Sequence, residues 1–310
     1  MKELAIVIPA YKADFLDETL SSLALQTSKE FTVYIGNDAS PYDSDSIVEK
    51  YRKDFPLKYH TFHDNLGGKD LVAHWERCVQ LCETEEWICI FSDDDIMQTG
   101  VIESFHNMVI PDNCDIAHFN IEIINEQGDV IRRCPEFPTI LDDASFFDLL
   151  FRRKIDARMP EFIFRRSFLA GGRNLVNFDL AWRSDTATVL AAARKGGIIT
   201  ISGLNSKVLW RASSENISGR GELKRKKNKS NIAFFNWVSE WGVPIKMSRF
   251  YLLKTIVFSL EYDGPFHFFR DGLRAIRKMR YAKGYRGITL LFLLYRIPYH
   301  WMEIHRNNSV

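Results

Sequence analysis

The sequence is short of cysteine, and the cysteines present form neither a metal nor a redox signature. Five occur (Cys78, Cys82, Cys89, Cys114 and Cys134), an odd number with no C-x-x-C pair among them. Cys78 and Cys82 fall one helical turn apart, but no His or Cys partner stands at ligand spacing. Buried, reduced thiols in a reducing cytoplasm are therefore expected. No secretory leader is expected either: Met1-Lys2-Glu3-Leu4 runs straight into a strand-like segment, without an apolar core and cleavage site, which predicts a chain that is not secreted. There is no internal repeat, and low complexity is confined to Lys224-Arg225-Lys226-Lys227-Asn228-Lys229, read as an exposed hinge or lid. Disorder is excluded by composition, since 46% of residues are hydrophobic and 26% charged.

Net charge is also nearly absent, at +1, but it hides an asymmetry. Residues 1–218 hold 23 Lys and Arg against 34 Asp and Glu, whereas residues 219–310 hold 18 against 6. Two regions with different partners follow, divided at residue 218. At 310 residues the chain is long enough for one substantial core with a smaller helical extension.

Leu4 to Pro9 is a continuous apolar run rich in β-branched residues, as a strand buried on both faces requires. Helical spacing follows over 14–27, strands over 31–35, 57–62 and 87–91, and helices over 45–54 and 69–83. This alternation predicts an α/β fold with a largely parallel sheet and helices on both faces. Beyond residue 100 the pattern weakens. Helices are expected at 99–109, 142–152 and 182–195, and strands at 115–124, 129–133, 197–202 and 206–211. From about 229 onward the pattern is helical, aromatic and basic.

Ligands of open α/β sheets bind beyond the carboxyl ends of the strands. Three motifs fall there: Pro9-Ala10-Tyr11, Gly36-Asn37-Asp38-Ala39-Ser40 and Ser92-Asp93-Asp94-Asp95. Three adjacent carboxylates repel one another, and Mg²⁺ or Mn²⁺ relieves that repulsion while bridging to a diphosphate. A solvated acidic turn ahead of the next helix accounts for the same residues without a metal. Asp38 suits a base N–H or a ribose hydroxyl, and equally an ordinary turn. Lys69, after Gly67-Gly68 at a helix start, is placed to meet a phosphate.

Val7 to Lys12, Asn37-Asp38-Ala39-Ser40, Asn65-Leu66-Gly67-Gly68-Lys69 and Phe91-Ser92-Asp93-Asp94-Asp95 occur in that order. Together they resemble the inverting family 2 glycosyltransferases of GT-A fold, over residues 1 to about 215. The resemblance implies a Rossmann-like, mostly parallel sheet flanked by helices, with 1–100 binding the nucleotide sugar and 101–218 facing the acceptor. It implies that Pro9 and Tyr11 line the base pocket, Asp38 contacts the base and Asp93 the ribose, and that Asp94 and Asp95 hold Mn²⁺ or Mg²⁺ with the diphosphate. Asn37 and Ser92 stand where many members carry Asp.

Inverting transfer also needs a base opposite the leaving group. In the family this base heads a helix about ninety residues past the metal motif, and Asp185 of Trp182-Arg183-Ser184-Asp185 fits. Asp179 is the competing carboxylate, and a plain helix cap is the alternative role for Asp185. Arg211, ahead of Ser213, Ser214 and Asn216, is the expected cationic partner of the diphosphate.

The implied donor is a nucleotide sugar, UDP-sugars being favoured, and the implied acceptor is a glycan or lipid-linked glycan of cell-surface polysaccharide synthesis. Residues 245–303 combine Arg and Lys with aromatic residues, which suits an anionic membrane surface. Ile288 to Leu294 is apolar but too short to span a bilayer, which takes about 20 residues. Cytoplasmic location, peripheral on the inner membrane face, is expected; nucleic acid is not, since no recognition motif accompanies the charge. A sugar nucleotidyltransferase would carry a glycine-rich loop after the first strand, where Pro9-Ala10-Tyr11-Lys12 stands. A membrane-associated binding module without turnover is the remaining rival.

Overall fold

The apolar run at the N-terminus becomes strand β1 (Leu4–Ala10), buried at every residue but Pro9. This is seen in a computed structural model, which describes residues 3–170, 174–214, 216–261 and 265–278. After β1 come α1 (Leu16–Ala24), β2 (Thr32–Asn37), α2 (Ser44–Lys50), β3 (Leu57–Thr61), α3 (Leu71–Val79) and β4 (Trp87–Ile90). Two of these helices start at Asp caps: Asp43 accepts from Ser46 N at 3.1 Å, and Asp70 from Ala73 N at 3.0 Å. The strands pair in parallel in the order β3-β2-β1-β4. The direction of winding reverses between β1 and β4, which opens a crevice at their carboxyl ends.

The chain continues through β5 (Ile96–Met97), α4 (Val101–Asn107), β6 (Ile116–Phe119), β7 (Ile121–Ile124), β8 (Val130–Arg133), β9 (Ile140–Leu141) and α5 (Asp143–Phe151). Next are β10 (Phe162–Arg165), α6 (Arg166–Leu169), α7 (Ser184–Ala192), β11 (Ile198–Ile201) and β12 (Val208–Arg211). Beyond β4 the main sheet extends as β10-β6-β11-β9, with β10 antiparallel to both neighbours. A second sheet has the order β5-β12-β7-β8.

Two features depart from the expected pattern. The strand anticipated at 115–124 is broken at Asn120, and its halves join different sheets. Asn120 stabilises the break, its Oδ1 accepting from Phe137 N at 2.9 Å and its carbonyl from Val208 N at 3.1 Å. β10 lies in the middle of the sheet yet was not anticipated. Its four residues, Phe-Ile-Phe-Arg, are too few to display a period.

Residues 1–177 with 184–214 form one compact unit, and 178–183 with 215–310 form the other. The second unit contains α8 (Lys224–Trp241), α9 (Arg249–Ser259) and α10 (Pro265–Lys278). The segment 178–183 is tied in by Ser230 Oγ donating to Asp179 O at 2.7 Å and Trp182 Nε1 donating to Asn231 Oδ1 at 3.2 Å. Lys224 to Lys229 is not a hinge: it forms the first turns of α8, with Lys227 buried and its Nζ donating to Arg220 O at 3.1 Å. Lys and Arg are good helix formers, so a basic run does not by itself mark a loop. Gly242 ends α8 in the left-handed conformation, at φ 74°. Ile288 to Leu294, together with residues 279–303 of the basic tail, lies outside the described residues.

Candidate active site

The loops after β1 and β4 are stitched together by Asp93. Its Oδ2 accepts from Tyr11 N and Lys12 N, both at 2.9 Å. Burial, then the charge of Asp94, raises the Asp93 pKa to about 6; Lys12 and the two amides work against the rise. Lys12 Nζ donates to Asp94 Oδ2 at 2.9 Å. Burial pulls the Lys12 pKa down, but Asp94 and Asp93 outweigh it and the net shift is upward. Tyr11 is 38% exposed and borders the crevice. Its carbonyl accepts from Ser40 Oγ at 2.6 Å, which joins the loop after β2 to the loop after β1. Pro9, opposite Gly36 in the β1–β2 ladder, is half-buried just beneath.

Asp95 is fully buried. Its Oδ1 accepts from Arg211 N at 2.7 Å, while its Oδ2 has no hydrogen-bond partner. Burial and then the charge of Asp94 push its pKa well above the usual carboxylate range. Arg211 was expected to face the diphosphate. It is instead fully buried, with Nε donating to Asp94 O at 2.8 Å, Nη1 to Glu126 O at 2.8 Å and Nη2 to Glu18 Oε2 at 2.7 Å. Its charge is spent on bracing the acidic loop from below. The geometry cannot be read from sequence, where a lone arginine after a strand suggests an exposed cation.

Asp38 is also turned inward. Its carboxylate accepts from Leu66 N at 2.9 Å and Gly67 N at 2.8 Å, and pairs with Arg77 Nη2. A Cβ on Gly67 would stand 2.7 Å from Asp38 Oδ2, so the loop approaches this closely only as glycine. His74, buried 3.3 Å from Asp38, has its pKa lowered to about 4, by burial first and then by Arg77, against the opposing charge of Asp38. The Arg77 guanidinium lies 3.9 Å from the centre of the Phe62 ring. Lys69 is exposed in the turn before α3. His74 and Arg77 escaped the sequence reading because both lie within a helix that reads as ordinary amphipathic packing.

Asp185 occupies the first turn of α7, where its neighbours are buried and it remains partly exposed. Its Oδ1 accepts from Thr186 N at 2.6 Å. Leu180, Ala181 and Arg183 all have positive φ (63°, 52° and 74°), a run of left-handed steps by non-glycine residues just ahead of this helix. Each such residue costs of order 1 kcal/mol, and such strain gathers at functional sites. Asp179 belongs to the second unit.

A second buried acid, Glu161, feels the charges of both Asp185 and Asp95. It is fully buried; Oε1 accepts from Arg158 N at 3.0 Å and Oε2 has no partner. Burial first, with Asp185 and Asp95 adding, pushes its pKa far up. His118 Nε2 lies 3.8 Å from Glu161 Oε1, beyond hydrogen-bond length, and its ring stacks on Phe137 at 3.8 Å. Burial lowers the His118 pKa to about 3.

Among the described residues, no three His, Cys, Asp or Glu side chains converge into a metal cage. Asp94 and the unpartnered Oδ2 of Asp95 nonetheless suit a hard cation that takes one or two carboxylates and completes its shell with phosphate oxygens.

A mostly parallel sheet with an acidic loop at its switch point and a helix-borne carboxylate further along defines the GT-A class of α/β proteins. Residues 5–178 match the model described as Glycosyl transferase family 2, and the chain belongs to that family. Among curated relatives, the poly(ribitol-phosphate) β-N-acetylglucosaminyltransferase TarS of Staphylococcus aureus is 26% identical over 132 residues, 41% of this chain and 22% of that one. An uncharacterized glycosyltransferase of Rickettsia conorii is 24% identical over 173 residues, 47% of this chain and 26% of that one. The chain thus spans about a quarter of the length of these relatives. Among solved structures, S. aureus TarS 1–349 in complex with UDP-GlcNAc superimposes with a TM-score of 0.67 at 17% identity, over 90% of this chain and 82% of that one. The mannosyltransferase PcManGT of Pyrobaculum calidifontis, in complex with GDP-Man and Mn²⁺, gives 0.53 at 12% identity, over 94% and 84%.

Proposed function

We propose that this chain transfers a sugar, with inversion, from a nucleotide diphosphate donor to a glycan or lipid-linked acceptor in cell-surface polysaccharide synthesis. The observation that carries the reading is Asp95 Oδ2, a buried carboxylate oxygen without a partner at the switch point of the sheet. A UDP-sugar is the favoured donor; TarS in complex with UDP-GlcNAc as a structural neighbour supports it.

Pro9 and Tyr11 would flank the base. Asp38 would shape that pocket through the 66–67 turn it holds, with Lys69 at its exposed edge. Asp93 would face the ribose from the loop it closes. Asp94 and Asp95 would hold Mn²⁺ or Mg²⁺, with Arg211 fixing Asp95 through its backbone. A cation held there would supply Lewis acidity toward the departing diphosphate. Asp185 would take the proton of the acceptor hydroxyl as that oxygen attacks the anomeric carbon from the face opposite the diphosphate. The basic residues of 245–303 would rest on the anionic inner face of the cytoplasmic membrane, a reading supported by the excess of 18 Lys and Arg over 6 Asp and Glu across 219–310. Among the described residues no helix is long and apolar enough to cross a membrane.

Calorimetric titration of UDP- and GDP-sugars, with and without Mn²⁺, tests the donor site. Mn²⁺-dependent binding that is lost in Asp95→Ala is expected. Absence of Mn²⁺-dependent binding across the whole panel would sink the proposal.

A further inference from the structure

The chain leaves the first unit after Asn177 and re-enters it at Ser184, one residue ahead of Asp185. The stretch before the exit, 174–177, is pinned at three points within that unit. Asn174 Nδ2 donates to Phe168 O, and Val176 N donates to Thr188 Oγ1 at 3.0 Å. Thr188 is buried on α7, one turn after Asp185. The third point reaches α3: Asn177 Nδ2 donates to both carboxylate oxygens of Asp70, at 2.9 and 3.0 Å.

Asp70 is more than a surface acceptor. It caps α3 by accepting from Ala73 N with the same Oδ1 that meets Asn177, and it directly follows Lys69 and the turn at 66–68. α3 carries His74 and Arg77 against Asp38. One carboxylate thus joins the helix that holds the Asp38 loop to the segment anchored on α7, across 107 positions of sequence. Asn177 is exposed, and a hydrogen bond there adds little to the stability of the whole fold. What it fixes is registry, because an amide that straddles a charged carboxylate tolerates little displacement. A base must come within hydrogen-bond reach of its proton, so a shift of about 1 Å in α7 is costly in rate.

We propose that Asn177 is a positioning residue: its hold on Asp70 sets α7, and with it Asp185, against the loops that precede α3. The inference rests on the reading of Asp185 as the base. It adds a requirement that this reading does not contain, namely that the carboxylate must be kept in register through α3. Asn177 touches neither donor nor acceptor in this role and acts through the segment it anchors.

The test uses Asn177→Asp, Asp70→Asn and the exchanged pair D70N/N177D in the full chain. In Asn177→Asp two carboxylates face each other and the contact opens, with Glu76 adding to the negative charge around Asp70. Asp70→Asn keeps an oxygen for Ala73 N and Asn177. The exchanged pair rebuilds the contact with donor and acceptor reversed, and Asn still caps α3. Transfer to water is followed as UDP released from UDP-GlcNAc with Mn²⁺. In Asn177→Asp, kcat should fall about tenfold while the donor KM changes less than about threefold; Asp70→Asn and the exchanged pair should stay within about threefold of wild type. Amide hydrogen exchange needs no substrate: Val176 should exchange about tenfold faster in Asn177→Asp and return to the wild-type rate in the exchanged pair. A wild-type kcat in Asn177→Asp, or an exchanged pair no better than Asn177→Asp in kcat and in exchange, overturns the proposal. A raised KM with kcat kept would assign Asn177 to donor binding and overturns it equally. Circular dichroism checks folding. Failure of the wild-type chain to bind UDP-GlcNAc with Mn²⁺ counts against the donor site instead, and unchanged Val176 exchange in Asn177→Asp would overturn the tether even then.

Discussion

Lys12 Nζ lies 2.9 Å from Asp94 Oδ2, so one of the three clustered aspartates is paired with a lysine from the neighbouring strand's loop. The pair is partly exposed, with the Lys12 side chain at 27%. A cation arriving at Asp94 must displace this ammonium or share the carboxylate with it. Lys12→Met should therefore tighten binding of Mn²⁺ alone by about three- to tenfold, the scale of a partly exposed ion pair. Mn²⁺ titration followed by electron paramagnetic resonance reads this directly; unchanged or weaker affinity would remove Asp94 from the ligand set.

Asp185→Asn keeps an oxygen for Thr186 N, so α7 should retain its first turn. It removes the basicity. Turnover should fall about 10²- to 10⁴-fold, the usual contribution of a general base, while affinity for the donor changes less than about twofold. A variant that turns over normally would exclude Asp185 as the base.

Arg211 supplies donors to the carbonyls of Asp94 and Glu126 and to Glu18. Arg211→Met strands these acceptors, of which the Asp94 carbonyl is buried, at a cost of about 3 kcal/mol or more. The urea midpoint should drop accordingly, and Mn²⁺-dependent donor binding should fall with it. Arg211→Lys should recover little of either, because an ammonium does not reproduce the guanidinium fork. Full stability of either variant would contradict the bracing role.

Gly67→Ala forces a methyl group to within 2.7 Å of Asp38 Oδ2, so the turn must move away. Donor affinity should weaken by about tenfold while overall stability changes by about 1 kcal/mol. Unchanged donor affinity would detach this turn from the nucleotide site.

His118 and Glu161 tilt the pH profile of stability in opposite directions. The folded His118 pKa is about 3 against 6.5 when unperturbed, so the unfolded chain takes up a proton first. Stability is lost as pH falls from about 6.5 toward 3, by an amount on the order of 5 kcal/mol. Glu161 is raised above 4.5, so the unfolded chain loses its proton first and stability falls as pH rises from there. His118→Phe should flatten the acid limb and Glu161→Gln the other limb. Urea midpoints across the pH range measure both slopes, and parallel profiles for wild type and variants would refute the assignment.

The half of the sheet that carries the acidic loop was legible because β1 and β4 are apolar runs that end in polar motifs. The cluster Asp93-Asp94-Asp95 announces itself by its own charge. β10 was hidden by its brevity, and β6 and β7 by a single asparagine whose two hydrogen bonds divide one apolar segment between two sheets. Lys12, His74, Arg77 and Glu161 stayed silent for another reason. Each acquires its partners through contacts distant in sequence, as when Arg77 reaches Asp38 across 39 residues. Local pattern registers composition and period, and it does not register where a loop will turn a carboxylate inward.

The latch between Arg211 and Asp95 joins residues 116 positions apart. A ribosome delivers the acidic loop long before it delivers its brace. The nascent chain can assemble β1 to β4 early, but Asp95 gains its backbone donor, and Asp94 its guanidinium contact, only once β12 has emerged. Competence at this site is thereby deferred to a late stage of synthesis, and a product truncated ahead of residue 211 would display the acidic motif without the means to hold it.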